Sequence, residues 1–398
     1  MSVADLRARY EAAFMPNYGV PALALARGEG ARVWDADGTP YLDLIAGIAV
    51  SSLGHAHPDL VKAVADQVMG LAHTSNLFVN EPEVLLAERL RALLGGQGRV
   101  FLTNSGTEAN ECALKLAIKY AGAEGRGYLV AAENGFHGRS MGALSLTGKH
   151  AIREPFGPFG MEVRFVPYGD AEALRAAVTH DCAAVFLEPT QGEAGVVPPP
   201  AGYFTAVREI CDTTGALFVA DEIQSAIGRT GVWFAHQHDN ARPDILTLAK
   251  GLGGGLPIGA CIGFGPYGEL FAKGDHGSTF GGNPIAATAA LTVLNTIERD
   301  DLLGNATRVG ETLAEGIAAI DHPLLAGVRG RGLWLALALT GPAAAAVEAA
   351  AREAGFLVNA VQPDAIRIAP PLVLTPEQAR SFVEALPAIL DTAARKEP

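Results

Sequence analysis

LTLAKGLGGGLPIGA (246–260) sets an apolar strand directly before Lys250 and follows that lysine with a run of glycines. An amine sheltered at the end of such a strand gives up its proton more readily than a solvated one, so it can attack an aldehyde. Upstream, ALFVADEIQSAIGRTG (216–231) ends another apolar strand in a carboxylate, Asp221. A carboxylate there suits a protonated pyridine nitrogen. Together the two residues are what a pyridoxal 5'-phosphate (PLP) site asks of a protein: an amine to hold the aldehyde and an acid to keep the ring nitrogen protonated, so that the ring accepts electrons. Separately, the lysine reads as a solvated strand end and the aspartate as a cap or turn residue.

RVFLTNSGTEANECALKLAIKY (99–120) supplies a third element. Arg99 to Thr103 reads as a short strand, Asn104 to Thr107 as a tight polar turn, and Glu108 to Tyr120 as a helix. Small or apolar residues recur in it at Ala109, Cys112, Ala113, Leu116, Ala117 and Tyr120. The first turn of a helix offers free backbone N–H groups, so Ser105, Gly106 and Thr107 are placed to hold a phosphate. An ordinary capping turn looks the same; the lysine and aspartate beside it favour the phosphate.

Around these motifs the chain alternates. The apolar runs Gly127–Ala132, Val163–Pro167, Ala183–Leu187, Ala216–Ala220, Ile245–Ala249 and Ala260–Phe264 read as strands, with helical patterns such as Ala171–Val178 and Tyr203–Thr214 between some of them. That alternation predicts an α/β fold, with a mostly parallel sheet covered on both faces and ligands bound at the strand ends. Before it, Arg32–Leu44 reads as a β-hairpin turning at Asp37 and Gly38, and a helix starts at Pro58. After it, Ile285–Ile297 reads as a long helix, followed by helix, strand, helix, strand, strand, helix. The expected division is an N-terminal segment over 1–55, a large domain over 56–297 and a small α+β domain over 298–398.

Composition is consistent with this and narrows the function. With 398 residues and 49% hydrophobic side chains, the chain can bury a large core divided between domains, and 47 glycines and 24 prolines suit many tight strand-to-helix turns. A net charge of −13, with no basic stripe, argues against a nucleic-acid partner. Cys112, Cys182, Cys211 and Cys261 are scattered, with no CxxC pair and no histidine pattern suited to zinc, so free buried thiols and no metal are expected. The N-terminus lacks the apolar core of a signal peptide, and no apolar stretch is long enough to span a bilayer; a cytoplasmic protein with no membrane partner is expected.

The chain resembles the class III (fold type I) PLP-dependent aminotransferases, and within them the acetylornithine aminotransferase group. Ten motifs occur in family order: ARGEGARVWDADGTPYLDLIAGIAVSSLGHAHP, HTSNLFVNEP, FLTNSGTEAN, FHGRS, FLEPTQGEAG, VADEIQSAIGRTG, LAKGLGGGLPIGA, HGSTFGGNP, VRGRGLWLAL and IRIAPPLVLT. The departures are small: Ala194 where QGEGG is usual, Ser140 where threonine is common after FHGR, and Ile285 after GGNP. None removes a group with chemistry.

The resemblance implies the PLP-dependent transferase fold type I, with the first segment packing against the C-terminal part, and a role for each motif residue. Lys250 would hold PLP covalently and then carry a proton as acid and base; Asp221 would pair with the ring nitrogen. Gln224 would reach the phenolic oxygen, Ile223 would pack on one ring face and Phe136 would stack on the other. Core packing explains Ile223 equally well. Thr279, in HGSTFGG, would reach the phosphate of a neighbouring subunit's cofactor, with Ser278 beside it toward substrate, so a homodimer with shared active sites is expected. Glu188 reads as structural, or as a support behind the residues that touch the ligand.

Transamination by glutamate needs a site for a dicarboxylate in one half-reaction and for an ω-amino donor in the other, which two arginines and a switching group satisfy. By family pattern Arg367 takes the glutamate α-carboxylate, and Arg139 the glutamate side-chain carboxylate or the acetylornithine α-carboxylate. Glu193 is the gate that pairs with Arg367 when the substrate brings an amine. The implied substrates are N2-acetyl-L-ornithine and 2-oxoglutarate, in arginine biosynthesis. SNLF (75–78) with Glu193 favours an acylated donor over ornithine or 4-aminobutyrate and leaves succinyldiaminopimelate, another acyl-diamine, open, and the dicarboxylate clamp argues against a PLP-dependent aminomutase or racemase.

Overall fold

The computed structural model describes residues 1–396; Glu397 and Pro398, the last of the span expected for the small domain, lie outside the described residues. The central sheet has the order Arg99–Thr103, Gly259–Gly263, Ile245–Leu248, Leu217–Asp221, Cys182–Leu187, Tyr128–Ala132, Glu162–Val166. From Ile245–Leu248 to Glu162–Val166 every pairing is parallel, while Gly259–Gly263 runs antiparallel to both its neighbours. The expected strands are all present, with ends shifted by a residue or two.

Five of these strands are buried along their whole length, as a sheet covered on both faces requires. Alternate residues serve opposite sides. Leu129, Phe186, Leu217 and Val219 pack with the helix Gly106–Glu124, whereas Val130, Val185, Leu187 and Phe218 join the larger core with the helices Tyr203–Thr214 and Pro284–Arg299.

The expected hairpin is formed by Arg32–Asp35 and Pro40–Asp43, with a further strand, Leu25–Glu29, on its outer edge. Pro40–Asp43 also pairs in parallel with Phe356–Leu357, and the Ala369 N–H donates to the Leu44 carbonyl at 2.7 Å, so the first segment is stitched to the C-terminal region.

The C-terminal order departs from expectation. Residues 325–339 make a hairpin of two strands, Leu325–Arg331 and Trp334–Leu339, where one was expected, and Phe356–Leu357 is an additional short strand. The reversal depends on Gly332 at φ +59° and on Gly330, where a Cβ would run into the Trp334 carbonyl. This sheet continues through Ala365–Ile368 to Asn359–Gln362. Arg229, 2% exposed, donates from Nη1 to the carbonyls of Leu333 at 2.8 Å and Pro370 at 2.5 Å, fastening the segment after Asp221 to it. No helix among the described residues is long and apolar enough to cross a membrane.

Candidate active site

Asp221 and Lys250 stand at the C-terminal ends of adjacent parallel strands, where α/β sheets bind ligands; Asp221 lies in register with Thr247. Lys250 begins a short 3-10 turn with φ +40°, and Gly251 follows because a Cβ there would come within 2.6 Å of Ser52 Oγ. Both residues line a cavity of about 470 Å³. Ser105, Gly106, Thr107, Phe136, Arg139, Ile223 and Gln224 line the same cavity.

Burial, and next the charge of Arg367, lower the Lys250 amine from 10.5 to about 8, against the opposing pull of Glu193 and Asp221. The amine attacks only when neutral, so in the unloaded protein its reaction with an aldehyde is expected to rise with pH through about 8 and then level off. Borohydride trapping of a simple aldehyde on the Lys250 peptide across a pH series measures this. A midpoint at the value of an ordinary lysine would contradict it.

Asp221 is 4% exposed and its carboxylate is fixed on every side. Oδ2 accepts from His137 Nδ1 and from Asn110 Nδ2, each at 2.7 Å, and Oδ1 accepts the Ile223 N–H at 3.1 Å. Asn110 in turn accepts from Thr247 Oγ1 at 2.9 Å and donates to the His137 carbonyl at 2.7 Å. Burial works against a charge on His137, but its hydrogen bond to Asp221 and the charges of Asp221 and Glu188 raise its pKa above the usual histidine value. The imidazole and the Asn110 amide hold the Asp221 carboxylate in place for a pyridinium partner.

At the other end of the cavity, Ser105 caps the helix Gly106–Glu124, its hydroxyl accepting the Glu108 N–H at 3.3 Å. The first-turn amides have no acceptor within the helix. A Cβ on Gly106 would come within 2.8 Å of the Ile223 side chain, so only glycine leaves room there. Thr107 Oγ1 lies 2.6 Å from Ser140 Oγ, which closes the loop Phe136–Ser140 over the helix start; serine at 140 retains that hydroxyl. An amine, a carboxylate with an adjacent imidazole, an anion-binding helix end and the side chains of Phe136 and Ile223 around one cavity fit the aldehyde, ring nitrogen, phosphate and ring faces of PLP.

Arg367 and Glu193 lie behind Gln224, outside the residues that line the cavity. Arg367 is 2% exposed; its Nη1 donates to Glu193 Oε1 at 2.5 Å and to Gln224 Oε1 at 3.0 Å, and its Nη2 to Asn359 Oδ1 at 2.7 Å. Asn359 is its cross-strand neighbour. Burial opposes ionisation of Glu193, yet the Arg367 guanidinium holds its carboxyl below the usual range. Lys149 Nζ donates to the Glu193 carbonyl at 2.7 Å, and burial lowers its pKa.

Ser278 and Thr279 are not brought to this cavity in their own chain. They line a separate hollow with Glu108 and Phe280, and Asn104 borders both, donating from Nδ2 to Ser278 Oγ at 3.1 Å. Glu188, read from sequence as structural or as a support behind the ligand-contacting residues, lines the cavity itself. Burial pushes its carboxyl above the usual range, His137 opposing the shift and Asp221 adding to it. His137 and Asn110 were missed although they lie within FHGRS and TEAN; a lone histidine and asparagine carry no local signal of a shared partner far along the chain. Lys149 had no sequence signal at all. Among the described residues, no group of three or more His, Cys, Asp or Glu is placed to hold a metal ion.

The family model described as "Aminotransferase class-III" matches residues 13–390. The acetylornithine aminotransferase of Mycolicibacterium smegmatis is 56% identical over 389 residues, spanning 98% of this chain and 99% of that one. A solved N-acetylornithine aminotransferase from Stenotrophomonas maltophilia superposes with a TM-score of 0.84 at 38% identity, covering 96% of this chain and 99% of that chain. An ornithine aminotransferase from Toxoplasma gondii, described with partial occupancy of PLP at its active site, gives 0.95 at 32% identity over 99% of this chain and 95% of that chain. With the lysine, the aspartate and the capped helix around one cavity, and these likenesses along almost its whole length, the chain belongs to the class-III aminotransferases.

Proposed function

We propose that this chain, with PLP as its cofactor, transfers the δ-amino group of N2-acetyl-L-ornithine to 2-oxoglutarate, giving N-acetyl-L-glutamate 5-semialdehyde and L-glutamate. The observation that carries the reading is the Arg367–Glu193 pair at 2.5 Å behind the Lys250 cavity, with Arg139 on that cavity's wall. An arginine whose charge is already matched leaves no demand for a carboxylate beside an incoming amine. Releasing it from Glu193 creates a site for the α-carboxylate of glutamate.

When bound, PLP supplies an electron sink for the carbon that gains or loses the amino group. Lys250 holds the aldehyde and then moves the proton, its lowered pKa bringing the neutral amine near working pH. Asp221, backed by His137 and Asn110, keeps the ring nitrogen protonated. Ser105, Gly106 and Thr107 hold the phosphate, while Phe136, Ile223 and Gln224 orient the ring. The test is a screen of single half-reactions, following the absorbance of the bound cofactor with acetylornithine, ornithine, succinyldiaminopimelate, 4-aminobutyrate and glutamate as donors. A faster half-reaction with another ω-amine than with acetylornithine would replace the substrate named here.

The proposal includes a cytoplasmic homodimer, with the chain dividing at 1–55, 56–297 and 298–398. Leu77, Phe78 and Val79 are 86%, 68% and 84% exposed, and Phe280, beside Thr279, is 58% exposed. Asn76 Nδ2 donates to the carbonyls of Ser278 and Gly281, each at 3.2 Å, so these apolar side chains and the Thr279 loop form one surface. A second copy covering that surface carries Thr279 toward the partner's phosphate and Ser278 toward its substrate. Thr279→Ala is expected to weaken cofactor retention roughly 10- to 100-fold, the loss of a hydrogen bond to a charged group. Equilibrium dialysis of PLP measures it, and a fully active monomer at assay concentration would sink the shared-site arrangement.

A further inference from the structure

Glu188 follows the strand Cys182–Leu187 and is 7% exposed on the cavity wall. Its carboxylate oxygens are divided between two loops. Oε1 accepts the Phe136 N–H at 2.9 Å, and Oε2 accepts the Gly192 N–H at 3.1 Å. The first amide opens the loop that carries Arg139; the second immediately precedes Glu193. The residue itself is anchored, since its carbonyl accepts the Tyr168 hydroxyl at 2.9 Å.

Other side chains hold the far side of the Glu193 loop. Lys149 Nζ at 2.7 Å and Gln362 Nε2 at 2.6 Å both donate to the Glu193 carbonyl, and Arg329 Nε donates to the Gly195 carbonyl at 2.9 Å. With its backbone held at both ends, this loop leaves the Glu193 side chain as the part free to release Arg367 in the two-arginine reading. Where that side chain starts from depends on where Glu188 holds Gly192, and the same carboxylate sets the position of Phe136 and so of Arg139.

We propose that Glu188 is a positioning residue that sets the spacing between Arg139 and the Glu193–Arg367 pair, and thereby the length of dicarboxylate the site selects. This rests on the two-arginine reading above. The chemistry favours a carboxylate at this position because it presents acceptors to both amides. Glutamine has the same size but one acceptor, so its amide nitrogen must face one of the two N–H groups, donor against donor. Aspartate keeps both acceptors but is a methylene shorter and cannot reach both loops.

The test compares wild-type holoenzyme with Glu188→Gln, using 2-oxo diacids of four, five and six carbons as amino acceptors. Wild type is expected to prefer the five-carbon acid. In Glu188→Gln that preference, as a ratio of kcat/KM values, is expected to narrow about tenfold, with KM rising more than kcat falls, because displacement of a binding group by a fraction of an ångström penalises the fitted substrate most. Hydrogen exchange supplies a readout without turnover: the peptides containing Phe136 or Gly192 should exchange faster in the variant. If Glu188→Gln does not fold, Glu188→Asp gives the same comparison. A proportional loss with all three acids, or unchanged exchange at both amides, overturns the spacing role alone. A wild-type enzyme with no preference among the acids overturns the two-arginine reading together with it.

Discussion

Lys250→Ala is expected to leave a folded protein with no measurable transamination and no near-visible absorbance from a covalently held cofactor. One amine performs two jobs in the proposed reaction, and the variant loses both. A positioned general acid or base alone is worth about 10²- to 10⁴-fold, and here the group that anchors the aldehyde disappears with it. The fold should tolerate the change. Residue 250 already has φ +40°, a conformation about equally unfavourable for lysine and alanine, and removing a half-buried amine of lowered pKa relieves a desolvation cost. Mass spectrometry after borohydride reduction decides the matter. An adduct still formed on the peptide spanning residue 250 in the variant would reject Lys250 as the anchor, and turnover within about a hundredfold of wild type would reject its proton transfer.

Lys250 and Asp221 were legible because each closes a largely apolar run, interrupted only by Thr247 before Lys250, and such a run ending in a charged residue announces both a buried strand and the end at which its chemistry is exposed. The capping turn at Ser105 was legible for the same local reason, a polar residue, a glycine and a helical period within a few residues, although the helix runs over Gly106–Glu124 and so starts two residues before and ends four after the expected Glu108–Tyr120. What the sequence concealed was of other kinds. Leu325–Arg331 is half-buried and carries Arg329 and Arg331, so it lacks the apolar signature that marked the central strands, and its hairpin with Trp334–Leu339 was read as a single element. His137, Asn110 and Thr247 converge around Asp221 from three separate elements, and nothing local to any of them encodes that meeting. Glu188 was visible as a strand-end acid, but its function lies in which two amides it accepts, and those are set by the return of two loops. Ser278 and Thr279 are a further case, because their proposed targets belong to a second copy and the geometry of one chain leaves them in a hollow of their own.

Glu193→Ala is expected to separate the two half-reactions. In the resting arrangement Arg367 donates to the Glu193 carboxylate at 2.5 Å and to the neutral Gln224 and Asn359, while its buried Nε has no partner among the described residues. Removing the anion leaves a guanidinium that is 2% exposed beside whatever substrate is bound. Breaking a buried pair in this way costs roughly 3 to 5 kcal/mol; Glu193 is 25% exposed, which places this pair at the lower end. The acetylornithine half-reaction, whose δ-amine brings no carboxylate to Arg367, should therefore slow by about a hundredfold. Glutamate carries its own α-carboxylate to the same guanidinium and no longer has to displace Glu193, so its half-reaction should be preserved or improved. Arg367→Ala should show the opposite bias, losing glutamate and 2-oxoglutarate most. The gate should remain closed throughout the neutral range, because Arg367 holds the Glu193 carboxyl below its usual range and the pair weakens only as pH falls through that lowered value. Single-turnover kinetics with each donor, on both variants, is the deciding measurement. Equal losses in the two half-reactions would reject the gate and leave Glu193 as an anchor for the Arg367 side chain.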